Sequence, residues 1–183
     1  MGWLGLDDTD SLNGGCTTEV LFHLLESLPD NVSYANPRLV RLWPFAKQRT
    51  RGNAAVAVEL ITENETELMN HLDNWWTNHI SRLGGSIGVS DHSERKQYPA
   101  DPGMVWMSEA KSDAKFYSQS VSSEILLEDL PNVSRHWGGN GRIGATAAVL
   151  WPAAQSTYEA ISWRIDDSEG PRRLDEDALD DVD

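Results

Sequence analysis

The chain has 183 residues, enough for one domain or two small ones around a buried core, and its 39% hydrophobic content argues against global disorder. Its 29 acidic against 15 basic residues give a formal charge of −14, with Lys47, Lys96, Lys111 and Lys115 the only lysines, a balance expected of a protein working at very high salt. Cys16 is the only cysteine, and the histidines (His23, His71, His79, His92 and His136) show no metal-ligand spacing, which excludes an intrachain disulfide and a cysteine zinc cluster and disfavours a zinc enzyme.

Taken in order, residues 2–6 read as a short buried strand that stops at three carboxylates, Asp7, Asp8 and Asp10. Gly14 and Gly15 follow, and Thr17 and Thr18 open a helix running to about Leu28. A strand, an acidic turn, a glycine loop and a helix start suit a metal-bound phosphate. The aspartates supply hard oxygen ligands for Mg²⁺, and the glycines let the backbone approach the phosphate. No Gly-Lys-Ser/Thr follows, so this is not a Walker A loop. Adjacent carboxylates repel each other unless a cation or hydrogen-bond donors offset them. Thr17 or Thr18 serves either as the helix N-cap or as a hydroxyl facing the phosphate, and the sequence leaves both open.

Tyr34–Trp43 and Asn53–Leu60 read as two strands of a hairpin, with the polar segment 44–52 as a functional connection. Arg38, Arg41, Lys47, Arg49 and Arg51 fall in a stretch without a single acid. Such a patch clamps a triphosphate or receives nucleic-acid phosphates, unless it is spent on structural ion pairs. Residues 63–80 read as an amphipathic helix, with Trp75 and Trp76 on its packing stripe. Turn-formers crowd residues 84–103, where a domain junction or mobile loop is expected. Met104–Met107 reads as a strand and Phe116–Leu130 as a second amphipathic helix. Gly138–Gly144, with Arg142, is either an anion-cradling loop or a turn. Ala145–Trp151 reads as a tightly packed helix and Thr157–Ile165 as a strand. The acidic tail, 166–183, is expected to be flexible. With no secretory or membrane-spanning segment in the sequence, a cytoplasmic location is expected.

Five ordered strings carry a resemblance: GLDDTDS with GGCTTE (5–19), RTRGNAAVAVEL (49–60), DPGMV (101–105), GRIGATAAVLW (141–151) and TYEAISWR (157–164). Together they resemble the archaeal 2-agmatinylcytidine synthetases of the minor isoleucine tRNA, the TiaS family. The resemblance implies an α+β protein: an N-terminal kinase-like α/β domain over residues 1–103, a ferredoxin-like α+β domain over 104–165, and the tail. It implies ATP-dependent attachment of agmatine to the second ring carbon of the wobble cytidine in a CAU anticodon, with release of AMP and pyrophosphate. By the same resemblance Asp7, Asp8 and Asp10 hold Mg²⁺ and ATP phosphates, and Thr17 or Thr18 is autophosphorylated. The resemblance also has Arg49, Arg51, Gly52 and Asn53 line that site; the residues themselves add Gly14 and Gly15 to it and make Arg38, Arg41, Lys47 and Arg142 candidate tRNA contacts. The family continues into an OB-fold and a cysteine zinc ribbon, so this chain is expected to be an N-terminal fragment.

Two other readings stay open at this level. Asp8-Thr9-Asp10 also resembles the start of a haloacid-dehalogenase-type phosphatase, although Leu12 and the absence of a well-placed lysine depart from that pattern. A non-catalytic RNA- or nucleotide-binding module on the Arg38–Arg51 patch is the alternative of another class.

Overall fold

In the computed structural model, residues 1–10, 16–47, 52–84, 88–89 and 96–153 are described. In chain order the elements are β1 (Gly2–Asp7), α1 (Thr17–Glu26), β2 (Ser33–Arg41), β3 (Ala54–Ile61), α2 (Glu65–Trp75), β4 (Gly88–Val89), β5 (Lys96–Gln97), β6 (Gly103–Met107), α3 (Ala114–Ser120), β7 (Arg135–Gly138) and α4 (Gly141–Leu150). A π-helical turn over Trp76–Ile80 extends α2, and a 3₁₀ turn covers Leu127–Asp129.

β1 is the middle strand of a five-stranded sheet of order β2-β3-β1-β6-β7. Every pair in it is antiparallel. Alternation along the strands divides the core into two layers. Leu4, Leu6, Val56, Val58, Leu60, Met104 and Trp106 share one core with Leu21 and Leu24 of α1 and Leu68, Leu72 and Trp75 of α2. Ala55, Ala57, Val105 and Met107 share the other with Phe116 of α3 and Ala145, Ala148 and Val149 of α4. Both faces of the central strands are therefore covered, which explains why β6 is buried at every position. The expected hairpin is present, with Arg38 opposite Ala57 and a register shift between Ala35 and Arg38 where Asn36 takes a φ of 52°.

The second core is thin because its contact residues are small. A Cβ on Gly5 would overlap the Ala145 carbonyl, and one on Gly144 would overlap the Asp7 carboxylate. α4 thus lies directly on β1, with its opening turn beside the strand's acidic end.

Some expected bounds shift. The helix over 116–130 stops at Ser120: the hydroxyls of Ser122 and Ser123 donate back to the carbonyls of Ser118 (2.6 Å) and Gln119 (3.1 Å) and compete with helix propagation. The glycine loop over 138–144 is instead the end of β7 and the start of α4. Residue 104, where the second domain was expected to begin, sits inside β6, hydrogen-bonded between β1 and β7. The expected strand at Thr157–Ile165 and the tail lie outside the described residues.

Candidate functional site

The site grows from the end of β1. Asp7 is the strand's last residue, paired with Gly103 of β6. Asp8 then turns the chain with a φ of 57°, a left-handed conformation that Asp tolerates better than most residues but that still carries strain. Its amide donates to Asp7 Oδ1 at 2.7 Å, while its own Oδ2 accepts from the Asp101 amide at 2.8 Å. Thr9 is buried, and its hydroxyl donates to Thr17 Oγ1 at 3.1 Å, tying the elbow to the first residue of α1. The N-cap of α1 is Cys16 rather than either threonine, and the Thr18 hydroxyl meets Cys16 Sγ at 3.0 Å.

Charge is concentrated here against its preference for water. Burial holds the Asp7 carboxyl well above the usual carboxylate range; the neighbouring charges of Asp8 and Asp10 push it further, and the Asp8 amide partly opposes them. Burial also lifts Asp8 to about 6, helped by Asp10 and Asp101 and opposed by the Asp101 amide. A cation would remove these penalties together. Among the described residues no group of three or more His, Cys, Asp or Glu side chains forms a metal cage. Mg²⁺ does not need one, because one or two carboxylates plus waters and phosphate oxygens complete its shell. The hard, crowded carboxylates of the elbow fit that requirement.

Asp7, Asp8 and Asp10 open onto a cleft of about 360 Å³. Gly52 and Asn53, candidates for the nucleotide site, and Lys47, a candidate tRNA contact, line it too. Asn53 is fixed there by donating from Nδ2 to the Trp43 carbonyl at 2.6 Å. Gly14, Gly15, Arg49 and Arg51 lie outside the described residues. Arg41 is exposed at the end of β2. Arg38 belongs elsewhere. Its guanidinium stacks 3.8 Å from the Trp3 ring and donates to the Val149 carbonyl at 2.5 Å, at the C-terminal end of α4. Burial lowers it to about 10, against the opposing pull of Glu59. Arg142 does not line the cleft; its Nε donates to the Gly139 carbonyl at 3.1 Å.

Asp101 is the residue whose role sequence reasoning missed. It stands in a turn-forming Asp-Pro-Gly, yet it joins the two halves of the site. Its Oδ2 accepts from the Asn140 amide and from Asn140 Nδ2, both at 2.8 Å, and its carbonyl accepts from the Gly141 amide at 2.9 Å. The Gly139 amide donates to the Pro102 carbonyl, and those of Arg142 and Ile143 donate to the carbonyls of Gly139 and Asn140. Every amide from Gly139 to Ile143 is thus already used within the protein. The loop before α4 is not an anion cradle, because Asp101 fills it. The signal is faint: an acid well ahead of an Asn-Gly helix start has no local periodicity to betray it. Trp43, Ser123, Glu124 and Leu126 also line the cleft, and their sequence context shows only a strand end and a helix.

The sequence matches the family model for the TiaS TCKD domain over residues 3–139 and that for the TiaS FLD domain over residues 139–183. It is 36% identical over 174 residues to the isoleucine-tRNA 2-agmatinylcytidine synthetase TiaS of Pyrobaculum neutrophilum, covering 91% of this chain and 39% of that protein. It is 31% identical over 183 residues to the enzyme of the same name from Thermoplasma volcanium, covering 88% of this chain and 41% of that protein. Among solved structures, a complex of TiaS with its isoleucine tRNA and ATP aligns with a TM-score of 0.68 at 25% identity, over 99% of this chain and 43% of that one. A complex of TiaS with the same tRNA, AMPCPP and agmatine shares the fold, with a TM-score of 0.64 at 24% identity over 99% of this chain and 44% of that one. The chain spans about two-fifths of the length of the curated relatives it matches.

Proposed function

Because this chain belongs to the TiaS family, we propose that it is the nucleotide-handling part of an isoleucine-tRNA 2-agmatinylcytidine synthetase and that its acidic elbow binds ATP with Mg²⁺. The observation that carries the reading is the strained elbow itself, three carboxylates of which two are pushed above their ordinary range at the mouth of a cleft. Perturbed carboxylates in a cleft are the usual mark of a site that waits for a cation or a proton.

The chemistry follows from the product named in these relatives. An amine displaces the oxygen on the second ring carbon of cytosine only after that oxygen becomes a leaving group. Transfer of a phosphate-bearing group from ATP to that oxygen supplies this: the oxygen departs with the phosphate as the amine bonds the ring carbon, and the transfer depends on positioning and charge neutralisation more than on covalent help. Asp7, Asp8 and Asp10 are the carboxylates that would hold Mg²⁺. Mg²⁺, when bound, screens the phosphate charge. Lys47 supplies a cation in the lining of the same cleft, and Asn53 a fixed amide. Thr17 is buried and bonded to Thr9, whereas Thr18 is half-exposed, so Thr18 is the better phosphoryl acceptor of the two. Agmatine and the minor isoleucine tRNA are the remaining partners of the reaction.

Calorimetric titration of the chain with MgATP tests the reading. Wild type should bind, and Asp8→Asn should weaken binding at least tenfold; equal affinities would overturn the assignment. After incubation with MgATP, mass spectrometry should find phosphate on the peptide carrying Thr18. Phosphate on Asp8 would favour the phosphatase chemistry instead.

A further inference from the structure

The cleft has two chemistries, and the proposed function uses one of them. Its floor is acidic. Its rim is not: Trp43 stands on one wall, and Ile125 and Leu126 belong to the other, with Leu126 53% exposed. Beside Trp43, Phe45 is 72% exposed, its ring edge-on to the indole at 6.3 Å and 70°. Large apolar side chains left in water around a concave polar floor describe a place where a flat apolar ligand is received.

The backbone of Trp43 is also anchored. Its amide donates to the Ser120 carbonyl at 3.1 Å, and its carbonyl accepts from Asn53 Nδ2 at 2.6 Å. Those backbone bonds join the end of the β2–β3 wall to the last residue of α3, so the backbone that carries the indole is placed by two elements rather than by a free loop. An indole on an anchored backbone has only two side-chain torsions to settle, so it offers a stacking face at little cost in conformational entropy. Ser123 and Glu124 line the same rim and present oxygen acceptors.

We propose that Trp43, extended by Phe45, is a stacking platform for a nucleobase bearing an exocyclic amine, with Glu124 as the acceptor for that amine. The proposal rests on the reading of the acidic floor as a phosphate and metal site, because a nucleotide has this division: charged phosphates at one end and a flat ring at the other. Adenine of ATP and cytosine of the tRNA share that chemistry, since each carries one exocyclic amine and two π-faces. A lipid chain or apolar peptide would gain nothing from the acidic floor.

The test compares ligands with and without a base. Affinities of MgATP, of magnesium tripolyphosphate and of the unmodified anticodon stem-loop of the minor isoleucine tRNA are measured on wild type, Trp43→Ala, Trp43→Leu and Trp43→Phe. If adenine stacks, Trp43→Ala and Trp43→Leu weaken MgATP roughly tenfold or more and leave tripolyphosphate unchanged, while Trp43→Phe stays within about threefold of wild type. If cytosine stacks, MgATP is unchanged and the stem-loop weakens by a similar factor. Trp43→Leu keeps apolar volume at the anchored position, so it decides the matter should the alanine variant fail to fold. Unchanged affinity for both base-bearing ligands overturns the platform, as does an equal loss for MgATP and tripolyphosphate, which marks a merely structural tryptophan. If wild type binds neither MgATP nor tripolyphosphate, the proposed function falls, and the stem-loop arm still decides the platform.

Discussion

Asp8 concentrates the energetics of the site in one side chain. Its carboxyl sits at about 6, above the ~3.9 of an unstructured aspartate. The folded protein therefore keeps a proton that the unfolded chain has already lost. Below about pH 4 both states are protonated and Asp8 is neutral to stability. Between about pH 4 and 6 stability falls as pH rises, and above that the penalty is constant. Asp8→Asn should accordingly raise the melting temperature at pH 7.5, by roughly 1–3 kcal/mol of stability, and change little at pH 4. A scan of melting temperature against pH for both proteins checks this. Because a proton and a metal compete for the same oxygens, MgATP affinity in wild type should also rise from pH 5 to 7 and then level off. Arg38 gives the contrasting case. Its charge is spent on Trp3 and the end of α4, so Arg38→Ala should cost about 1–3 kcal/mol in urea unfolding, whereas Arg41→Ala, at an exposed position, should cost less than about 0.5 kcal/mol.

At the scale of the element, α4 and β1 act as one unit. The strand delivers Asp7 and Asp8, and the helix closes the floor with Asn140, Gly141 and Gly144. They approach closely because Gly5 and Gly144 have no Cβ at the contact. In Gly5→Ala the new methyl would meet the Ala145 carbonyl, a backbone atom that moves only with the whole helix. That substitution should destabilise the protein by about 1–3 kcal/mol and weaken MgATP binding as well, since separating α4 from β1 opens the floor. Chemical denaturation alongside nucleotide titration measures both effects. The loop before α4 shows a second element-scale rule. It has the glycines of an anion site, but Asp101 takes up two of its amides from within and the rest are bonded to nearby carbonyls, so the helix start lines the cleft without offering free amides to an anion.

At the scale of the molecule, the charge of −14 makes stability depend on salt. Acidic surface groups repel one another in dilute buffer, and at 1 M salt the screening length falls to roughly 3 Å. The melting temperature should therefore rise steeply between about 0.1 and 1 M KCl; a flat response would remove the argument for a saline setting. Screening weakens contacts with nucleic-acid phosphates under the same conditions, which places more of any tRNA recognition on stacking and shape.

The family, the helix at Thr17 and the β2–β3 hairpin were legible in the sequence because they are local. Apolar periodicity within a dozen residues reports burial, and an Asp-Asp-Thr-Asp elbow after an apolar run is a contiguous string. The sheet order, the true place of Met104–Met107 and the joining of Asp101 to both Asp8 and Asn140 are pairings across long stretches of chain, and no local pattern encodes them. Arg38 shows the same limit from the other side: composition marked it as spare positive charge, while the neighbours that consume that charge, Trp3 and Val149, are far apart in the sequence. Residue types determined which chemistry was available; only the packing of α4 onto β1 decided which groups were left free to perform it.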